Sequence, residues 1–443
     1  MSRGGRHWIL GGVAGVAIVG LLAVAVLSGW LGRPAARAGI GPDTSAAPSG
    51  DEVAQVMTLL DGRARSLLGR DVAGWDDALD SAPAAAAFGT AQRAVFANLA
   101  QVPLTVWRYS LVAAVTSPDV LVPAARALAG RVVVLHVQLA YALARVDQLP
   151  TQKDQWLTAV RRGSQWKLAA DTDVAATGGQ SWRGPWDFGP VDVLRGAHTL
   201  VLAHPAHAAD LGTFSTLVER SIPVVSGVWG PRWNTQVAVL IPDTAAEFAA
   251  VTADTGDTSD LAAVSVADQV LGDGTVLGAR IVLNPTTLGR LDAAGRRLVV
   301  QHELTHIAAR GVTNDQMPDW VIEGFADYVG NLGSTLTLRQ IAPELGAEVA
   351  RSKLPVALPT RTDFDGTNPR LAQAYEESWL ACRLIAARVG ASGLVRFYTL
   401  VSRGALSDPS TAADEALRSV VHLNLAAFTA AWRAQIRHEL GAQ

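Results

Sequence analysis

The chain has 443 residues, with 37 Lys and Arg against 40 Asp and Glu and a formal charge of −3. That balance lacks the basic excess of a nucleic-acid binder, so no nucleic-acid partner is expected. Apolar residues make up 49% and charged ones 17%, which excludes general disorder, and the single cysteine, Cys382, excludes an internal disulfide or a Cys-rich metal centre. A metal site in this chain must use histidines and carboxylates.

No charged side chain occurs from residue 8 to residue 32, a run long enough to cross a hydrocarbon core of about 30 Å as a helix. The run exceeds the roughly 7–15 apolar residues of a cleavable signal, although Ala36-Arg37-Ala38 offers a cleavage site. An uncleaved anchor is the leading reading and a cleaved signal the alternative. Arg3 and Arg6 before the span are matched by Arg33 and Arg37 after it, and the free amino terminus tips the orientation inward. The expectation is a single-pass cell-membrane protein whose main domains, from residue 33 onward, are extracytoplasmic. No later stretch reaches 18 uncharged apolar residues; residues 132–144 are too short and read as a buried strand.

Residues 34–50 collect Pro, Gly, Ala and Ser and read as a spacer. The pattern then turns helical over 51–87, with Val53, Val56, Leu59 and Leu60 at helical spacing, and a second helix is predicted over 91–100. Strands are predicted at 104–115, 131–145, 155–161 and 166–170, the last following a turn at Gly163. Helices followed by a curved antiparallel sheet resemble the SnoaL-like, or nuclear-transport-factor-like, cone fold. This small α+β accessory domain, residues 51–177, contains no catalytic set. Residues 178–190 read as a linker, in which Trp182 and Trp186 suit packing at a junction better than stacking on a base or sugar.

Strands at 198–203, 236–241 and 279–283, a helix at 245–252 and a Gly turn at Asp273-Gly274 follow, and after Asp292 the chain reads as mostly helical. The fold class is α+β throughout: residues 1–33 a cytoplasmic tip and anchor, 34–50 a linker, 51–177 the accessory domain, 178–190 a linker, and 191–443 a domain with a small sheet and a helical second half.

The informative stretch is LDAAGRRLVVQHELTHIAARG, residues 291–311, where Asp292 can cap a helix and Gly311 can end it. His302 and His306, four apart, project from one helix face and can reach a single zinc ion at about 2.0–2.1 Å. Glu303 sits about 100° around the helix, placed to hold a metal-bound water without being a ligand. A catalytic zinc takes three protein ligands, and PDWVIEGFADYVG supplies Glu323 on a second helix, with Asp319 near its start. Asp327, four residues on, can accept the free ring N–H of a zinc-bound histidine.

HELTH, followed 17 positions after His306 by Glu323 within WVIEGFADY, is similar to the gluzincin metallopeptidases, particularly the peptidase MA-like branch, whose second signature is Glu-x-x-x-Asp. The similarity spans about residues 195–405. The chain lacks a Gly-Ala-Met-Glu-Asn exopeptidase motif and the extended metzincin run. The resemblance implies one zinc per chain, a peptide or protein substrate, and hydrolysis in which Glu303 takes a proton from zinc-activated water and returns it to the leaving amine. It also suggests Tyr375 as a donor to the oxyanion, the alternative being packing beside Trp379. Residues 280–283 read as an edge strand able to pair with extended substrate, and 331–370 as a lid, a cleft wall or a surface loop.

The remaining suspects read as structural: His204 and His207 without a carboxylate at ligand spacing, His136 in an apolar strand, His438-Glu439 without a second histidine, and Cys382 on an apolar helix face. The rival function is a noncatalytic binding or scaffold protein that keeps the fold; a weaker third is a zinc hydrolase of a nonpeptide amide. Oligomeric state and cleavage specificity stay open at this stage.

Overall fold

The structure, a computed structural model, describes residues 47–115, 128, 130–252 and 261–441. The expected span at 8–32 and most of the spacer behind it lie outside the described residues. The architecture is mixed α and β, with three sheets and many helices. It divides into two compact units, one running to Gly289 and including Val300–Asp315, the other comprising Arg290–Val299 and the chain from Gln316.

The first unit begins with α1 (Gly50–Leu68), whose capping box pairs the Ser49 hydroxyl with the Glu52 N–H and the Glu52 carboxylate with the Ser49 N–H. Helices α2 (Val72–Asp77) and α3 (Ala86–Asn98) follow. Strands β1 (Leu104–Ala114), β2 (Val132–Leu143), β3 (Thr151–Arg162) and β4 (Gln165–Ala170) form an antiparallel meander in chain order. Strand β2 lies between β1 and β3, and its odd-numbered residues from Val133 to Leu143 line one buried face of the sheet. At the start of that face, Val133, Leu135 and Val137 pack with Val56 and Leu60 of α1. Farther along the same face, Leu139, Tyr141 and Leu143 join Trp107 and Trp186 in a core that continues to Leu200, Leu240 and Val282. Trp182 stacks on Tyr141 at 5.4 Å and Trp186 meets it edge-on at 5.6 Å, so both tryptophans are packing residues.

That shared core leads into a five-stranded sheet of order β5-β6-β7-β11-β8, built from β5 (Asp192–Arg195), β6 (Thr199–Ala203), β7 (Val237–Ile241), β8 (Ala263–Val266) and β11 (Arg280–Leu283). A small hairpin, β9 (Gln269–Val270) with β10 (Val276–Leu277), turns through Asp273-Gly274 as the sequence suggests. Helix α4 (Asp210–Trp229), which carries Pro223 inside it, and α5 (Ala245–Thr252) flank the sheet, and α6 (Pro285–Leu288) leaves it. The expected edge strand at 280–283 is not an edge: β11 pairs with β7 in parallel on one side and with β8 antiparallel on the other. All four of its residues are buried, as suits a strand paired on both sides. The edge beside it is β8.

Two buried ion pairs lock this unit. Arg280 donates to Asp147 at 2.6 Å and to its own neighbour's carbonyl, Ala279, at 2.8 Å, while Asp147 also accepts the Leu143 N–H at 2.7 Å. Burial alone would lower the Arg280 pKa, but the Asp147 carboxylate raises it above the usual range. His204 lies between Glu247 and the Pro190 carbonyl, each at 2.8 Å, which accounts for a histidine without metal chemistry. His136 is likewise satisfied, by Asp154 at 2.8 Å and by stacking on Trp156, though at the sheet surface rather than in the core.

In the second unit, α7 (Ala293–Ala309), part of which belongs to it, starts at Asp292, whose carboxylate accepts the Gly295 N–H at 2.7 Å. Helix α8 (Asp319–Gly330) packs on α11 (Leu371–Ala405), and between them lie α9 (Leu338–Ile341) and α10 (Pro343–Ala350). The segment at 331–370 thus carries helices of its own. The carboxylate of Glu376, on α11, accepts the first two N–H groups of α10, at 3.2 and 2.6 Å; burial and the neighbouring Glu344 push Glu376 up to about 10. Helices α12 (Ala412–Val420) and α13 (Leu425–Gly441) complete the unit. Among the described residues α11 is long and apolar enough to cross a membrane. Gly390 breaks it, and Ala374–Cys382 in its first part is buried throughout.

Candidate metal centre

Residues 301–309 of α7 are buried on every side, although five of the first six, Gln301, His302, Glu303, Thr305 and His306, are polar. Buried polar groups need partners. Thr305 finds one along its own helix, donating to the Gln301 carbonyl at 2.7 Å. His302 and His306 turn toward each other: their rings meet edge-on at 4.6 Å and their Nε2 atoms lie 2.9 Å apart. Nε2 atoms at that separation can point at a common acceptor of nitrogen lone pairs. Glu303, 3% exposed, occupies the next position on the helix.

The second signature sits on α8. Pro318 is extended ahead of the helix and Trp320, Val321, Phe325 and Ala326 fill its buried flanks, which leaves Glu323 and Asp327 one turn apart on a common face, both buried. Gly324 explains how that helix is seated: a Cβ there would run into the Ser378 carbonyl and the Cys382 sulfur of α11, so only glycine permits this approach. Cys382 is fully buried at this contact, and burial pushes its thiol up, as fits a packing residue. Burial also pushes Asp319, at the start of α8, up to about 6, against the opposing pull of Arg361.

His302, His306 and Glu323 each offer one ligand atom, and these atoms all lie within 4.8 Å of one another. Two imidazole nitrogens and one carboxylate oxygen, all buried, are a donor set that zinc accepts. Ligands at about 2.0–2.1 Å from one tetrahedral centre lie about 3.3 Å apart, so the spacing fits with small adjustment. Asp327 stands one turn beyond Glu323. Tyr375 is buried on α11, its ring edge-on to Phe364 at 5.3 Å. His438 is exposed on α13, and Glu439 beside it pairs with Arg383.

Sequence reasoning did not find the surroundings of His306. A narrow cavity beside it is walled by Ser265 and Val266 of the edge strand β8, with Ala279, Ile307 and Arg310. Ala279 and Ile307 also border a groove of about 480 Å³ that runs past Trp229, Trp233 and Asp273. Gly311 abuts Gly274 of the β9–β10 turn, where a Cβ would strike the Gly274 carbonyl, so its smallness serves this approach as well as the helix end.

No family model matches the chain, and none of the curated proteins matches it. Among solved structures it is similar to an M1 zinc metallopeptidase from Deinococcus radiodurans, with 15% identity, a TM-score of 0.32, and coverage of 62% of this chain and 57% of that one. A single-residue variant described under the same name and organism gives 14%, 0.34, 62% and 58%. A variant bound to a Tyr-Ser-Ala substrate gives 15%, 0.33, 62% and 58%. The chain thus spans less than two thirds of the length of these structures.

Proposed function

We propose that this protein is a zinc-dependent peptidase, held at the cell membrane by residues 8–32 with its folded part outside the cytoplasm. The observation that carries the reading is the convergence of His302, His306 and Glu323, three buried donors of the types and number that a catalytic zinc takes, with a carboxylate next in sequence to the first histidine.

His302, His306 and Glu323 would hold the ion. Zinc bound there supplies Lewis acidity, lowering the pKa of water and polarising a peptide carbonyl. Glu303 takes a proton from the attacking water and delivers it to the leaving amine nitrogen. Asp327 accepts a ring N–H from a liganding histidine and so fixes its tautomer. Tyr375 donates its O–H to the oxygen on which negative charge develops. The open edge of β8, whose Ser265 and Val266 lie beside His306, is the place for an extended substrate to add as a strand. Residues 51–177 form a cone-like accessory domain of the SnoaL-like type.

The test is zinc per chain, by elemental mass spectrometry, on the detergent-solubilised full chain and its variants. The parent is expected to hold about one zinc and Glu323→Ala clearly less. Glu303→Gln should keep the zinc while cleavage of a denatured-protein pool falls by about 10²–10⁴-fold. No zinc in a folded, metal-reloaded parent, or undiminished cleavage by Glu303→Gln, overturns the proposal. A zinc-loaded parent inactive across a broad peptide library would favour the scaffold reading instead.

A further inference from the structure

The groove of about 480 Å³ lies wholly within the first unit. Its walls come from the β2–β3 connection, the segment 229–236, the β9–β10 turn and the end of α7. That volume falls in the range of about 300–1,000 Å³ of ligand pockets, room for about three or four residues of extended peptide. The zinc ligands take no part in it.

The lining combines apolar surface with balanced charge. Trp229 and Trp233 are half-buried, and Trp233 donates its indole N–H to Ser226 Oγ at 3.1 Å, so what it offers a ligand is ring surface. Leu149 and Val312, at 46% and 37% exposure, add aliphatic surface beside the indoles. Asp147 and Arg280 also line the groove but pair with each other at 2.6 Å, while Arg232 and Asp273 contribute one charge of each sign. With no net charge to attract an ion, the groove suits an uncharged ligand with apolar side chains and amide groups, and the exposed Gln148 side chain can hydrogen-bond those amides.

Position points to the source of that ligand. Ala279 and Ile307 wall both the groove and the narrow cavity beside His306, so only the thickness of those side chains separates the two. We propose that the groove binds an extended, uncharged, apolar stretch of the polypeptide substrate a few residues from the cleaved bond, with Trp229 and Trp233 as specificity-determining residues. The inference rests on the zinc-peptidase reading and extends it to substrate class: a polypeptide long enough to reach from cavity to groove is preferred over a di- or tripeptide.

The experiment uses the zinc-loaded, detergent-solubilised full chain and an internally quenched tetrapeptide, alone or with Ser-Phe-Ser-Leu added at its amino or its carboxyl end. In an extended chain Phe and Leu of the addition share one face. Addition at one end is expected to lower KM about 10-fold with kcat within about two-fold, as remote binding does, and Asp-Gly-Asp-Gly at that end to give no gain. Trp233→Ala should reduce the gain to under about three-fold while cleavage of the tetrapeptide stays within about two-fold of the parent. Leu149→Ser combined with Val312→Ser, both at exposed positions, should do the same and decides if Trp233→Ala does not fold. Equal KM for all the peptides, or a gain unchanged in the variants, overturns the groove proposal and leaves the zinc reading standing. Failure to cleave any of them counts against the zinc reading instead. The groove is then judged by tryptophan emission on titration with acetylated, amidated Ser-Phe-Ser-Leu: a saturable change that the Leu149→Ser, Val312→Ser variant loses supports it, and no change overturns it.

Discussion

Two helices of this protein carry the dipeptide His-Glu, and they use it in opposite ways. In α13, Phe428, Trp432, Ile436 and Leu440 recur every four residues as a buried stripe, and His438-Glu439 falls on the outer flanks, with Glu439 occupied by Arg383 and Gln435. In α7 the helix is buried all round from residue 301 to 309, so His302-Glu303 has no water to turn to. The same residues lie against solvent in one setting and converge in the interior in the other. What the helix as a whole buries decides what a dipeptide within it can do.

That contrast can be broken at its strongest point first. His306→Ala should remove zinc and lower peptide cleavage by about 10²-fold or more, whereas His438→Ala should leave both within about two-fold; equal effects in the two assays would erase the distinction. The buried polar pairs of the first unit provide the next test. Arg280→Met strands Asp147 in the interior and is expected to cost about 3–5 kcal/mol in denaturant unfolding. Adding Asp147→Leu should recover most of that loss, because the cost lies in the unpaired charge.

A smaller effect depends on pH. Glu247, with some offset from burial, raises the folded-state pKa of His204 above its ordinary value near 6.5. Such a group stabilises fully below the unfolded pKa, and its contribution disappears as pH rises through the folded value. The stability advantage of the parent over Glu247→Gln should therefore shrink between about pH 6.5 and the raised value, and constancy across that window would contradict the assignment. The smallest change is expected at Glu439→Gln, under about 1 kcal/mol, since its ion pair with Arg383 is partly solvated.

The legible parts of this fold were those with a local period or spacing. The four meander strands fall within a few residues of where alternation and apolar runs place them, as does the helix at 245–252. His302, Glu303 and His306 needed only the helical repeat. The strand at 280–283 is not an edge because all four residues of RIVL are buried, with Arg280 drawn inward by Asp147, a pairing that no local pattern reveals. Strands β5 and β8 are four residues each, too short for a period to register, and α4 carries a proline that disguises twenty residues of helix. Arg280 and Asp147 are 133 residues apart and Arg63 meets Gln92 across 29, so no window of sequence announces either contact. Long-range pairing is decided by how the sheets stack, after the local elements exist.

The apolar core that runs from Trp107 and Tyr141 through Trp186 to Leu200, Leu240 and Val282 has a consequence for any division of the chain. Severing the chain within residues 178–190 is expected to bare half of that surface on each fragment. The meander and the five-stranded sheet are therefore one block in folding, and exchanging the first for an unrelated module would require a rebuilt surface on the second.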